Sequence, residues 1–229
     1  MSRTLMICGY GSGISSSVAR HFGEQGFALA LVARSSDKLE AGVATLREAG
    51  LEARAFTCDL GDPDAVATLV ADVRSGLGPI TAIHWNAYVG AAGDLTTCSA
   101  AELRQNFDVG VTGLVVAVQA ALPDLEAQGG AVLITGGGFA KDVDAVNANI
   151  VNWNCMGLGL TKAAQHKLAG VLHHKLAAKG VYVGEVVVLG AVAGTAFARG
   201  GGGLDPDGIA AAFWRLYSER DVISLDYSG

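Results

Sequence analysis

Seven short apolar runs alternate with helical patterns along the whole chain. The runs lie near residues 4–8, 27–33, 53–57, 80–86, 131–136, 181–189 and 222–226; the helical patterns lie near 13–25, 36–49, 62–76, 99–127, 150–179 and 206–218. Few folds accept such strict alternation. Strands that are apolar on both faces must be covered twice, and helices threaded between parallel strands supply that cover. The reading is α/β, a doubly wound parallel sheet of about seven strands with helices on both faces, forming a single domain over residues 1–229. Hydrophobic content of 51% against 17% charged fits a fully wrapped sheet and excludes a disordered chain. Asp62-Pro63 and Asp205-Pro206 read as helix starts, with Asp capping and Pro at the first helical position. Gly23, Gly26 and Gly50 read as helix ends, and Gly200 to Gly203 as a loop inside the last unit.

Several classes of partner are excluded by the same sequence. Net charge is −6 with no basic block, which argues against nucleic acid. No stretch approaches the roughly 18 unbroken apolar residues of a membrane span, and the N-terminal run is too short for a signal-peptide core. Cys8, Cys58, Cys98 and Cys155 are scattered without metal or redox spacing, so buried reduced thiols in a cytoplasmic protein are expected, with no metal site.

In a sheet of this kind ligands bind at the carboxyl ends of the strands, so those ends carry the functional reading. The first run leads into Gly9-Tyr10-Gly11-Ser12-Gly13-Ile14-Ser15. A glycine-rich turn between a first strand and a first helix lets the backbone approach a dinucleotide pyrophosphate, which the N–H groups of the helix N-terminus then meet. The second run ends at Arg34-Ser35, with no acidic residue to hold the ribose hydroxyls of NAD. The Arg34 guanidinium suits a 2′-phosphate, which favours NADP(H) over NAD(H), unless Arg34 is only a solvated strand-end residue. Asp59 and Leu60 are candidates for adenine, Asp59 being equally suited to a turn. Asn86 and Ala87 suit a backbone passing close to the cofactor ribose. His84, mid-strand, reads as packing. His173-His174-Lys175 reads as the wet face of a helix.

Taken together, these segments resemble the short-chain dehydrogenase/reductase family over nearly the entire chain. The glycine turn is similar to the family's Gly-x-x-x-Gly-x-Gly loop, with Ser15 in place of the last glycine. Asp59-Leu60 and Trp85-Asn86-Ala87-Tyr88 match its segments after strands three and four. Leu189-Gly190, followed by Val192, resembles the Pro-Gly turn whose backbone holds the nicotinamide carboxamide. The resemblance implies a Rossmann-type fold, bound NADP(H), a small-molecule substrate and a homodimer or homotetramer. It places the substrate region near 136–157 and 190–205.

For catalysis the family uses a Tyr acid, a Lys four residues later, a Ser and an Asn. Thr161-Lys162-Ala163-Ala164 resembles the lysine segment, so Lys162 is both the catalytic and the ribose-binding candidate. Leu158 falls at the Tyr, Thr135-Gly136-Gly137-Gly138 lies where the Ser is carried, and Gly110 falls at the Asn. The chain therefore resembles an atypical member with only Lys162 kept. Tyr88, Lys141, Asn149, Asn152 and Asn154 are candidate replacement donors.

General acid catalysis is typically worth about 10²–10⁴ in rate, yet cofactor binding and positioning survive without it. The expectation is therefore an NADP-dependent oxidoreductase acting on a small carbonyl, alcohol or imine. Two alternatives stay open: a catalytically silent dinucleotide-binding sensor or partner subunit, and a non-redox elimination or isomerisation.

Overall fold

The computed structural model describes residues 3–198 and 202–229. Seven parallel strands form one sheet: β1 (Arg3–Cys8), β2 (Phe27–Ala33), β3 (Ala53–Thr57), β4 (Ile80–Trp85), β5 (Ala131–Gly137), β6 (Tyr182–Val188) and β7 (Ser224–Tyr227). Their order is β3-β2-β1-β4-β5-β6-β7, so the winding reverses between β1 and β4 and opens a crevice at the carboxyl ends of those strands.

Helices cover both faces. α1 (Ile14–Glu24), α2 (Ser36–Glu48) and α8 (Pro206–Glu219) close one core with Leu5, Ile7, Leu31 and Leu133. α3 (Pro63–Leu77), α5 (Gly113–Gln128) and α7 (Met156–Ala177) close the other with Met6, Val32, Ile83 and Ile134. Asp62 caps α3 through the N–H groups of Asp64 and Ala65, and Asp205 caps α8 through those of Asp207 and Gly208. Trp214 and Tyr217 pack with Phe22 and Phe27 between α8 and α1.

The expected helix at 99–127 is not uniform. α4 (Ala100–Phe107) runs through a π turn, Asp108–Thr112, into α5. The reason is close approach. A Cβ on Gly110 would lie 2.1 Å from Thr161 Cγ2, and one on Gly113 would lie 2.1 Å from the Leu60 carbonyl oxygen. The whole stretch Ala100–Gln128 has the length and composition of a membrane span, but Leu114, Ala117, Ala121 and Leu125 spend that apolarity in the core.

The expected helix at 150–179 is two helices, α6 (Asp144–Asn152) and α7. They part at residues 153–155, where Asn154 takes a φ of 54°. The N–H groups of Met156 and Gly157 donate to the carbonyls of Gly93 and Ala92, so α7 starts afresh against the loop after β4.

Smaller corrections follow from packing. Gly23 lies inside α1, where Leu51 and Leu29 press on its bare Cα. His173 is not on a wet face: its Nδ1 bonds the Val183 carbonyl and its ring meets Tyr182. Cys98 and Cys155 are half-buried rather than buried, and all four cysteines are free of disulfides. Gly200 and Gly201 of the expected loop lie outside the described residues; beyond them Leu204 bridges to Val192.

Candidate active site

The glycine turn is shaped by contacts that forbid side chains. Gly9 has a φ of 87°, and an added Cβ would lie 2.6 Å from Ala87 Cα. The N–H groups of Gly9 and Tyr10 both donate to the Val32 carbonyl, at 3.0 and 2.8 Å, which folds the turn over the end of β2. Gly13, also at 87°, stands at the N-cap of α1, and no side chain caps that helix. The first-turn amides of α1 are thus left for a ligand or solvent. Around Gly11 there is open space.

Ser15 links the turn to the end of β4. It is buried, donates to the Gly9 carbonyl at 2.8 Å and accepts from Asn86 Nδ2 at 2.7 Å. Asn86 therefore braces the turn. Ser15→Ala breaks both bonds and leaves the Asn86 amide short of an acceptor; a loss of about 1–3 kcal/mol is expected in urea unfolding. An unshifted midpoint would mean that the brace carries no stability.

The other predicted residues lie along the same edge of the sheet. Ile14 is buried at the start of α1. Ser12 Oγ approaches the Gly194 carbonyl at 3.5 Å, and a Cβ on Gly13 would lie 2.9 Å from Thr195 Cγ2 and 3.8 Å from Val192 Cγ1. The turn after β1 and the segment after β6, which begins at the exposed Gly190, thereby form one wall. Arg34 and Ser35 are exposed just beyond β2, on the opposite flank. Asp59 also lies on that flank, with Oδ1 already accepting from the Gly61 N–H at 3.0 Å. Leu60 is buried beneath it.

Lys162 lies on the inner face of α7, under the end of β5. It is buried, and its Nζ donates to the Thr135 carbonyl at 2.7 Å and to Gln165 Oε1 at 2.9 Å. Gln165 Nε2 in turn donates to the Gly110 carbonyl at 2.7 Å. Sequence reading missed Gln165, although a polar residue three positions after Lys162 shares its helix face. Burial lowers the Lys162 ammonium to about 8, the Glu185 carboxylate partly opposing the shift.

Leu158, one turn before Lys162, is buried, and Gly137 faces the lysine stem, an added Cβ lying 3.7 Å from Lys162 Cδ. His84 is neutral at ordinary pH, because burial and the Lys162 charge push it down to about 3. Its ring packs edge-on against Phe213, in keeping with a packing role.

Most of the candidate replacement donors are occupied or turned outward. Lys141 pairs with Asp226 at 2.9 Å. Asn149 and Asn152 are exposed on α6, and Asn154 packs against Gly93. Tyr88, partly exposed, approaches Phe197 with ring centroids 6.1 Å apart. Among the described residues no cluster of His, Cys, Asp and Glu could hold a metal.

The short chain dehydrogenase family model matches residues 3–200. The 3-oxoacyl-acyl-carrier-protein reductase FabG of Staphylococcus aureus (strain N315) is 27% identical over 174 residues, 74% of this chain and 70% of that protein. L-sorbose reductase from Gluconobacter frateurii, solved with NADPH and L-sorbose, superposes with a TM-score of 0.85 at 21% identity, covering 100% of this chain and 95% of that one. A metagenomic short-chain oxidoreductase in complex with NADP superposes at 0.83 with 23% identity, covering 99% and 97%.

Proposed function

The chain belongs to the short chain dehydrogenase family, and from that premise we propose that it is an NADP(H)-dependent oxidoreductase of a small carbonyl, alcohol or imine. The observation that carries the reading is the buried Lys162, held by Thr135 and Gln165 at the edge of a crevice built for a dinucleotide. The whole chain acts as one domain, with substrate entering near 136–157 and 190–205. The residues present fit the cofactor. The turn at Gly9 to Gly13 has the bare backbone and uncapped helix end that a pyrophosphate requires. Arg34 offers charge-assisted bonds to a 2′-phosphate. Solved relatives crystallised with NADP or NADPH support the same cofactor.

When bound, the nicotinamide supplies or takes up a hydride. In this reading Gly9, Ser12, Gly13 and Ile14 hold the pyrophosphate. Arg34, Ser35, Asp59 and Leu60 hold the adenosine half, and Asn86, Ala87, Gly190 and Val192 line the nicotinamide half. Lys162 binds the ribose and, with Leu158 in the turn before it and no side chain at Gly137, is itself the proton donor to the reduced substrate. A tetrad reduced to its lysine suits substrates that need little help from an acid, such as imines and activated carbonyls. Leu158 also gives the alternative its footing, a silent dinucleotide-binding sensor or partner subunit.

Thermal unfolding with NADPH and with NADH tests the cofactor half. Ligand at 100 times its Kd adds about 2.7 kcal/mol to stability, so a larger upward shift with NADPH is expected. Arg34→Ala is expected to erase the difference. A larger shift with NADH would overturn the role given to Arg34. NADPH consumption over a panel of carbonyls and imines tests the catalytic half, and total silence with nucleotide bound would favour the sensor.

A further inference from the structure

Two exposed aromatic side chains meet at the mouth of the crevice, and the proposed mechanism uses neither. Tyr88 follows β4 and Phe197 follows β6. Tyr88 is 46% and Phe197 37% exposed, and their rings pack tilted at 44° with centroids 6.1 Å apart. β5 lies between β4 and β6 in the sheet. The pair therefore arches across the carboxyl end of β5, the end at which Lys162 donates to the Thr135 carbonyl at 2.7 Å.

Both feet of this arch are fixed. Ala87, next to Tyr88, packs against Gly9, and the carbonyls of Ala92 and Gly93 accept from the first amides of α7. On the other side, Thr195 bonds the Val192 carbonyl through Oγ1 at 2.7 Å and through its N–H at 3.2 Å. The Ala198 N–H then closes a turn on the Thr195 carbonyl at 3.1 Å, and Phe197 sits within that turn. Two glycines form the floor. A Cβ on Gly137 would lie 3.7 Å from Lys162 Cδ, and one on Gly138 would lie 3.5 Å from Cδ2 of the exposed Leu189. Between Lys162 and Leu189 the floor thus carries no side chain of its own.

We propose that Tyr88 and Phe197 select a substrate with a flat apolar ring beside its carbonyl or imine carbon. The inference rests on the oxidoreductase reading for its reaction, though not for recognition of the ring. A third ring can extend the pair by edge-to-face or offset contacts, at centroid distances of about 4.5–7 Å, which a flexible alkyl chain cannot make. Residues 86–93 and 189–198 contain no charged side chain. A carboxylate or phosphate under the arch would therefore lose its water without gaining a partner from either wall. The Lys162 ammonium is committed to Thr135 and Gln165.

Acetophenone and 2-octanone are methyl ketones with the same carbon count, one with a ring and one with a chain. The test compares kcat/KM for their NADPH-dependent reduction by the full chain. Calorimetry then compares their binding to the chain loaded with NADP+, which has no hydride to give. Acetophenone is expected to be favoured by about tenfold in both measurements, the scale of aromatic pair contacts. Phe197→Leu keeps an apolar side chain without the ring, so the ratio should fall toward one. Tyr88→Phe keeps the ring and should keep the ratio. Val171→Ala, exposed toward the far end of α7, should match the parent.

A parent that prefers 2-octanone, treats the two alike or binds neither overturns the ring inference alone. So does a Phe197→Leu variant that keeps the parent's ratio, because a ring that merely shapes the loop behaves that way. Loss of the ratio in Tyr88→Phe would give the work to the hydroxyl and overturn an aromatic wall. Acetophenone binding that depends on Phe197, with no carbonyl or imine reduced, upholds ring recognition and overturns the oxidoreductase reading.

Discussion

Lys162→Met is expected to cut NADPH-dependent turnover by about 10²–10⁴-fold while the protein stays folded. The substitution keeps most of the stem that packs beneath Gly137 and removes the ammonium that donates to the Thr135 carbonyl. Methionine is a cheaper occupant of a buried position than an ammonium, which offsets the bonds lost to Thr135 and Gln165, so unfolding experiments should register no large net loss of stability.

The parent's pH dependence checks the same assignment independently. Burial brings the Lys162 ammonium to about 8 from its ordinary 10.5. If this group is the donor, reduction proceeds fully below about pH 8 and falls roughly tenfold for each unit above it, as the amine loses its proton. Oxidation, which needs the amine, should rise through the same range. The sign for stability is opposite to that for reduction. Between about 8 and 10.5 the unfolded chain holds the proton and the folded chain does not, so this group's contribution to stability grows as pH rises through that window. A reduction rate flat from pH 7 to 10 would remove Lys162 from the proton-donating role.

The sheet and its edge were readable before any coordinates because they follow from local rules. Apolar runs set the strands, Asp62-Pro63 and Asp205-Pro206 set two helix starts, and a glycine turn after β1 set the crevice. What escaped were features fixed by residues distant in sequence. The break at 153–155 depends on the carbonyls of Ala92 and Gly93 accepting the first amides of α7, and nothing in the pattern of 150–179 announces that. The π turn arises where Gly110 and Gly113 pass against Thr161 and Leu60. The Ser15–Asn86 brace joins positions 71 apart, and the Gln165–Gly110 bond joins positions 55 apart. Glu185 is a different case. One acidic residue in the middle of a seven-residue buried strand was a visible signal, because a charge so placed requires partners.

The second large effect concerns Gly110, the position at which the sequence resemblance leads one to expect an asparagine. Gly110→Asn should not simply add a functional group. Its Cβ would arrive 2.1 Å from Thr161 Cγ2, and the π turn holding Gly110 is bonded through its carbonyl to Gln165. Overpacking of this kind typically costs about 1–3 kcal/mol and occasionally more, and at 2.1 Å the upper end or beyond is expected. The clash has one removable partner. Thr161→Ser deletes Cγ2 and keeps the Oγ that donates to the Gly157 carbonyl at 2.9 Å, while Thr161 Cβ would stay at 3.5 Å from the new Cβ. In a double-mutant cycle read by urea unfolding, Gly110→Asn with Thr161→Ser should therefore recover most of the stability that Gly110→Asn loses. The double variant also asks a chemical question: an asparagine at 110 competes with Gln165 for the space beside Lys162. Strictly additive losses across the cycle would show that Thr161 is not what excludes a side chain from this turn. Recovery would identify Thr161 as the residue that commits the chain to holding its lysine through Gln165.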